Sequence, residues 1–311
     1  MFGSTLLQRH SASVMHIFRT SCAETGVGAT DPKLIVAAMR TVPAMTHFPP
    51  GLLPLIASFL GPDSIFVAGG YCGKSRLHTT SLCYSLNTHR WRTNVAAMSE
   101  ARTNMAAAAF GGRMMVFGGR IADPLSTVLM VTATCEAFDP SINTWSALPS
   151  MPTPRSSAVA VAWQDRVFVF GGCLPWLPYD LSSACCFHPL QNGWSAISPM
   201  TCCRRLAAAV AIPSLGILVM GGHSGWETLE SVELYDPNID KWTTMPWLLP
   251  KPLCNFAAHF LDDGMLYIIG GSSGSGKNTD CWSMDLSAAV PVWSPLPSLP
   301  GAMEGLASVA V

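Results

Sequence analysis

The chain has 311 residues, 49% of them hydrophobic and only 12% charged, which excludes a disordered polymer and leaves room for one large or two small packed domains. A formal net charge of −1 excludes the basic footprint of a nucleic-acid binder. No apolar run approaches the roughly 18 residues a bilayer-spanning helix needs, so no membrane segment is expected.

Residues 1–47 read as a poorly ordered N-terminal segment. Arg9 and Arg19 with no acid before Glu24 resemble an organelle transit peptide only weakly, and a plain tail is the preferred reading. Residues 48–62 are predicted to form a short amphipathic helix. Counted from Pro49, apolar side chains fall at +3, +4, +7 and +11 (Leu52, Leu53, Ile56 and Leu60), with Ser58 on the other face and prolines and Gly61 at the ends. The spacing resembles the first helix of an F-box, the adaptor that docks on a ubiquitin-ligase scaffold. Two further F-box helices have no counterpart, so a helix capping the domain that follows is preferred to an F-box remnant.

From residue 63 onward the chain repeats itself. Apolar runs end in the doublets Gly69-Gly70, Gly118-Gly119, Gly171-Gly172, Gly221-Gly222 and Gly270-Gly271, and 20 to 26 residues after each comes Trp91, Trp145, Trp194, Trp242 or Trp293. A period of about 50 residues is that of a propeller blade. Seven residues before the first four tryptophans stand Tyr84, Phe138, Phe187 and Tyr235; in the fifth unit Met284 takes the place at a spacing of nine. Asp-Pro pairs such as Asp139-Pro140 and Asp236-Pro237 supply tight turns between these two positions. Alanine-rich runs such as Ala106–Ala109 are too short for helices and are predicted to be strands converging on an axis, where only small side chains fit.

A di-glycine after the second strand, an aromatic on the third and a tryptophan on the fourth resemble the kelch repeat, over residues 63–311. The resemblance implies an all-β fold, a kelch β-propeller of five four-stranded blades, with six as the alternative count. Gly305–Val311 has the character of an innermost strand and is expected to complete the blade that begins near Ser64, closing the ring.

Eleven cysteines, with the neighbours Cys185-Cys186 and Cys202-Cys203 and no C-x-x-C spacing, read as reduced thiols in a cytoplasmic or nuclear protein. The sequence Gly270–Lys277 lacks P-loop spacing and reads as an inter-strand loop. No catalytic constellation, metal site or cofactor motif is recognisable.

Three successive units place an arginine eight residues before the end of the inner strand: Arg102, Arg155 and Arg204, with Pro252 and Met303 in the corresponding places of the other two. Two readings stay open. The arginines either converge on the channel mouth as a pocket for an acidic peptide motif, or tie neighbouring blades together through backbone carbonyls. Loops after the glycine pairs add Tyr71, Arg120, His223 and Trp226 as candidate contacts with a partner peptide. The resemblance implies a protein-interaction module, most simply the substrate-recognition adaptor of a cullin-type ubiquitin ligase. A cytoskeletal, actin-associated binder and a small-molecule enzyme of sialic-acid mutarotase or oxidase type are the other two readings.

Overall fold

The computed structural model describes residues 52–53, 56–61, 64–72, 76–85, 90–92, 94–123, 128–174, 180–261, 263–273 and 276–299. The predicted tail over 1–47 and the predicted closing strand Gly305–Val311 lie outside these residues.

Among the described residues, five four-stranded antiparallel sheets follow one another along the chain. Blade 1 consists of Ile56–Gly61, Ser64–Ala68, Ser81–Ser85 and Arg90–Arg92, and blade 2 of Ala106–Phe110, Arg113–Phe117, Cys135–Asp139 and Thr144–Leu148. Blade 3 is Val159–Trp163, Arg166–Phe170, Ala184–His188 and Gly193–Ile197; blade 4 is Ala208–Ile212, Gly216–Met220, Val232–Asp236 and Lys241–Thr244. Blade 5 is Ala257–Phe260, Met265–Ile269, Cys281–Asp285 and Trp293–Leu296. Within each blade the strands pair in chain order from inner to outer, and the five inner strands lie against one another in blade order. The alanine-rich runs are indeed inner strands, with Ala106–Ala109 paired to Phe117–Met114.

The hydrophobic core lies between blades. Phe66 and Ala68 of blade 1 pack with Met114, Val116 and Phe138 of blade 2; Phe117 and Cys135 of blade 2 pack with Val167, Val169 and Phe187 of blade 3. A sheet covered on both faces needs apolar residues at every position of its central strands, which is why Gly216–Met220 is buried throughout. Each large side chain sealed in this way contributes roughly 1.5–3 kcal/mol.

The repeat's signature residues stitch blade to blade. Trp145, Trp194, Trp242 and Trp293 each donate Nε1–H to a carbonyl in the segment leaving the preceding blade: Ala96, Pro149, Ser198 and Leu248, at 2.8 to 2.9 Å. Trp145, Trp194 and Trp242 also meet an aromatic on the second strand of that preceding blade, as Trp194 meets Phe117 edge-on at 5.6 Å and Trp242 meets Phe170 at 5.4 Å. The predicted pairing across the outer hairpin holds in all five blades, including the longer fifth turn, where Met284 stands opposite Trp293.

A further chain of backbone bonds runs around the inner edge. Ser157 donates its N–H to the Asn104 carbonyl at 2.8 Å, Leu206 to Ser157 at 2.8 Å, and Asn255 to Leu206 at 2.9 Å. All four residues adopt left-handed backbone, with φ between 52° and 58°. The conformation turns each peptide toward its neighbour in the next blade.

Two expectations are corrected. Within the predicted helix 48–62, the described residues are strands: Leu52–Leu53 pairs with Tyr71–Cys72, and Ile56–Gly61 is the inner strand of blade 1, Ile56 opposite Ala68 and Phe59 opposite Ile65. The helical spacing of the apolar residues was outweighed by pairing with the second strand, and small Ala57 and Ser58 match the inner strands of the other blades. The propeller thus starts before residue 63. Among the described residues, Ile56–Gly61 holds the innermost position of blade 1.

Candidate functional site

The three arginines face inward. Arg102, Arg155 and Arg204 are 0%, 3% and 1% exposed, which removes them from any ligand surface. Each Nη1 donates to two carbonyls of its own blade: Gly118 and Thr134 for Arg102, Gly171 and Ser183 for Arg155, Gly221 and Ser231 for Arg204, at 2.7 to 3.0 Å. Nη2 of Arg102 and of Arg204 reaches a buried carboxylate, Glu136 or Glu233, at 2.7 Å, whereas that of Arg155 reaches Ser183 Oγ at 2.9 Å. Burial pulls the Arg155 pKa below the ordinary arginine value, with the neighbouring Cys185 opposing the shift. The predicted positive pocket is therefore not formed by these side chains, because they are buried and their Nη donors are taken up within the blade, leaving only a sealed Nε without a partner.

Their backbone carbonyls complete the tie. Gly70, Gly119 and Gly172 of the preceding blade donate N–H to the carbonyls of Arg102, Arg155 and Arg204 at 3.0, 2.7 and 2.8 Å. In blade 5 the equivalent carbonyl belongs to Leu253, not to Pro252 as residue counting suggested, since Gly222 donates to it at 2.8 Å. The guanidiniums thus brace their own blades, and it is the backbone carbonyls of these residues that join one blade to the next.

The remaining candidates lie on the loops that follow the glycine pairs. Tyr71, Arg120, Cys173, His223 and Ser272 each come directly after a doublet and so occupy one equivalent position in blades 1 to 5. The last four pair through their backbones with Thr103, Ser156, Arg205 and Cys254, one residue beyond the arginine position. Tyr71 lies on a two-residue strand between Leu53 and Leu77. Arg120 is half-buried, its Nε sealed from solvent without a hydrogen-bond partner.

Trp226 is 88% exposed, the most exposed aromatic side chain on this face among the described residues. It sits at the tip of the hairpin formed by His223–Ser224 and Glu227–Thr228, whose turn is Gly225-Trp226. Gly225 has φ +60°, the conformation a two-residue hairpin demands of its first turn residue. Its N–H donates to Asp180 Oδ2 at 2.7 Å and its carbonyl accepts from Arg205 Nη2 at 3.1 Å. Arg205 Nη1 in turn grips both Asp180 oxygens, at 2.7 and 2.6 Å, and the Asp180 side chain is fully buried. A charge pair across blades 3 and 4 thus fixes the turn that holds a large aromatic ring out in solvent. Trp and Arg on rigid loops are the side chains that most often dominate interface energies.

Sequence reasoning selected Trp226 and His223 but not Asp180, Arg205 or Cys254. Asp180 carries no motif, and its partner lies 25 residues away in the next unit. The adjacent pair Arg204-Arg205 was the available signal: one arginine belongs to the repeat, the other does not. Among the described residues no group of three or more His, Cys, Asp or Glu side chains is arranged to hold a metal ion.

Five repeated four-stranded sheets, stitched by di-glycine and tryptophan and presenting loops on one face, define a kelch β-propeller. The profile of the KLHDC2/KLHL20/DRC7 kelch-repeats domain matches residues 56–248, and the chain belongs to that family. Kelch-like protein 35 of Mus musculus is 29% identical over 196 residues, 63% of this chain and 31% of its own length. Beta-scruin of Limulus polyphemus is 27% identical over 189 residues, 56% of this chain and 20% of its own length. Kelch-like protein 33 of Homo sapiens is 31% identical over 136 residues, covering 43% and 25%. The chain therefore spans about a third or less of these relatives. Among solved structures it resembles YjhT, with a TM-score of 0.64 at 15% identity over 77% of this chain and 83% of that one, a likeness of fold.

Proposed function

We propose that the chain is a protein-recognition propeller whose loop face, centred on the Trp226 hairpin, captures a partner polypeptide. Trp226 carries the reading: an exposed indole held by a buried ion pair is a costly arrangement with no role inside the fold. Kinship with kelch-like proteins supports the same class. The partner chemistry moves with the site: the acidic-peptide reading rested on guanidiniums that are spent internally, and the recast partner places an apolar or aromatic segment against Trp226. Within this proposal the cellular context is substrate recognition for a cullin-type ubiquitin ligase in the cytoplasm or nucleus, on family kinship alone, since residues 56–61 are a blade strand and not an adaptor helix.

Quantitative affinity purification of the full chain against Trp226→Ala tests both levels. Loss of a discrete set of partners with an unchanged melting temperature supports the site, and an interactome indifferent to the substitution discards it. Cullin-pathway subunits among the retained proteins support the ligase context; actin in their place redirects it to the cytoskeleton.

A further inference from the structure

At the junction of blades 4 and 5 a thiol and an imidazole are in contact: Cys254 Sγ lies 3.1 Å from His223 Nε2. The other ring nitrogen, Nδ1, lies 3.3 Å from both the Glu227 carbonyl oxygen and Thr228 Oγ1. A carbonyl only accepts, so the bond to Glu227 places the ring proton on Nδ1 and turns the Nε2 lone pair toward the thiol. Cys254 then donates S–H to a base oriented from behind, the arrangement that activates a cysteine nucleophile.

The repeat does not impose this pair. The equivalent positions at the junctions of blades 3 and 4 and of blades 2 and 3 hold Cys173 with Arg205 and Arg120 with Ser156. Other thiols are placed differently. Cys135 and Cys281 donate to the carbonyls of Ala133 and Thr279, and burial pushes Cys135 and Cys186 up to about 12 and Cys185 to about 11. Cys254 is 3% exposed beside a half-buried His223, so only a small reagent reaches the sulfur.

We propose that Cys254 is an oxidation site for small hydroperoxides, with His223 as its base. In the step, His223 Nε2 takes the thiol proton and the sulfur attacks one oxygen of hydrogen peroxide. The S–O bond forms as the O–O bond breaks, and the departing hydroxide collects the proton and leaves as water. Sulfur gives up two electrons, the peroxide takes them, and the product is the sulfenic acid. The added oxygen does not fit a 3.1 Å contact, so it displaces His223, the first residue of the Trp226 hairpin. This chemistry stands whether or not Trp226 binds a partner.

The full chain, treated with hydrogen peroxide and a dimedone-type sulfenic-acid trap, is read site by site by peptide mass spectrometry. Cys254 is expected to be trapped about tenfold faster than Cys135 or Cys281, and His223→Gln to bring it down to their rate with an unchanged circular dichroism spectrum. Trapping of wild-type Cys254 at the rate of Cys281, or a rate in folded His223→Gln equal to wild type, overturns the assignment. If His223→Gln does not fold, Thr228→Val removes only the hydroxyl behind Nδ1; a several-fold slower reaction supports the proposal and an unchanged one overturns it.

Discussion

Thr201 donates twice to Glu233: its backbone N–H and its hydroxyl both reach Oε2, at 2.7 and 2.6 Å. The same carboxylate accepts from Arg204 at 2.7 Å through Oε1. In blade 2, Glu136 does likewise for the Ser99 N–H, at 2.8 Å, and for Arg102, at 2.7 Å. Blade 3 differs at both ends: three residues before Arg155 stands Pro152, which has no N–H, and the strand position opposite Val169 is Cys185 instead of glutamate. Blade 5 repeats the exchange with Pro250 and Trp282, the latter opposite Ile268. A carboxylate is present where the crossing segment has an amide to satisfy and absent where proline has removed the donor.

The first prediction contrasts these positions. Glu233→Ala leaves a loop amide, a hydroxyl and a buried guanidinium short of their acceptor, and is expected to cost about 3–5 kcal/mol. Cys185→Ala removes a small thiol beside Arg155 and no carboxylate, and is expected to cost about 1 kcal/mol. Urea unfolding of the two variants measures the difference, and similar midpoints would remove the capping role argued for the glutamate.

Acid sensitivity follows from the same group. Burial alone would raise the Glu233 carboxyl, but hydrogen bonds from Thr201 and Arg204 outweigh it and hold the group below the ordinary glutamate range. A depressed folded pKa means the unfolded chain binds the proton more readily. The stabilisation is thus complete above about pH 4.3 and is lost as pH falls through the folded value. Glu233→Gln is expected to be less stable than wild type at neutral pH, with the gap closing on acidification. A gap that stays constant down to about pH 3 contradicts the linkage.

Gly171 and Gly111 share left-handed backbone, at φ 61° and 58°, but not surroundings. A Cβ on Gly171 would stand 2.1 Å from the Arg204 carbonyl oxygen of the next blade; one on Gly111 would meet nothing. Gly111→Ala is expected to carry only the conformational strain, about 1–2 kcal/mol. Gly171→Ala adds a collision between blades and is expected to lower the thermal midpoint at least twice as far. Equal shifts would mean that conformation, and not interblade contact, selects glycine in the doublet.

The doublets and tryptophans made the blades legible because each residue type has one packing role that nothing else fills: a carbonyl seated where a Cβ would be, and a ring that both fills the interblade gap and donates Nε1–H. Ile56–Gly61 was not legible, since its apolar spacing also fits a helix and only pairing with Ser64–Ala68 distinguishes the two. The arginines were located correctly in register, but register does not say whether a guanidinium points to solvent or to carbonyls. Asp180 with Arg205, and Cys254 with His223, join segments 25 and 31 residues apart, and no local pattern announces such pairs.

Leu206 supplies the last prediction. In the interblade chain of left-handed residues, two of the four are asparagine, Asn104 and Asn255, which tolerate positive φ well, while Leu206 holds φ at 55° against its own preference. Its N–H and carbonyl are both committed, to the Ser157 carbonyl and the Asn255 N–H, so the backbone is held there by neighbours on both sides. Its side chain is only half-buried, so exchanging it removes little core. Leu206→Asn keeps both backbone bonds and relieves the strain, and is expected to stabilise the propeller by about 1 kcal/mol, read as a higher midpoint in thermal or urea unfolding. Leu206→Val, β-branched and less tolerant of positive φ, is expected to move the midpoint the other way; the opposite ranking of the two variants would show that side-chain packing, and not backbone conformation, governs this position.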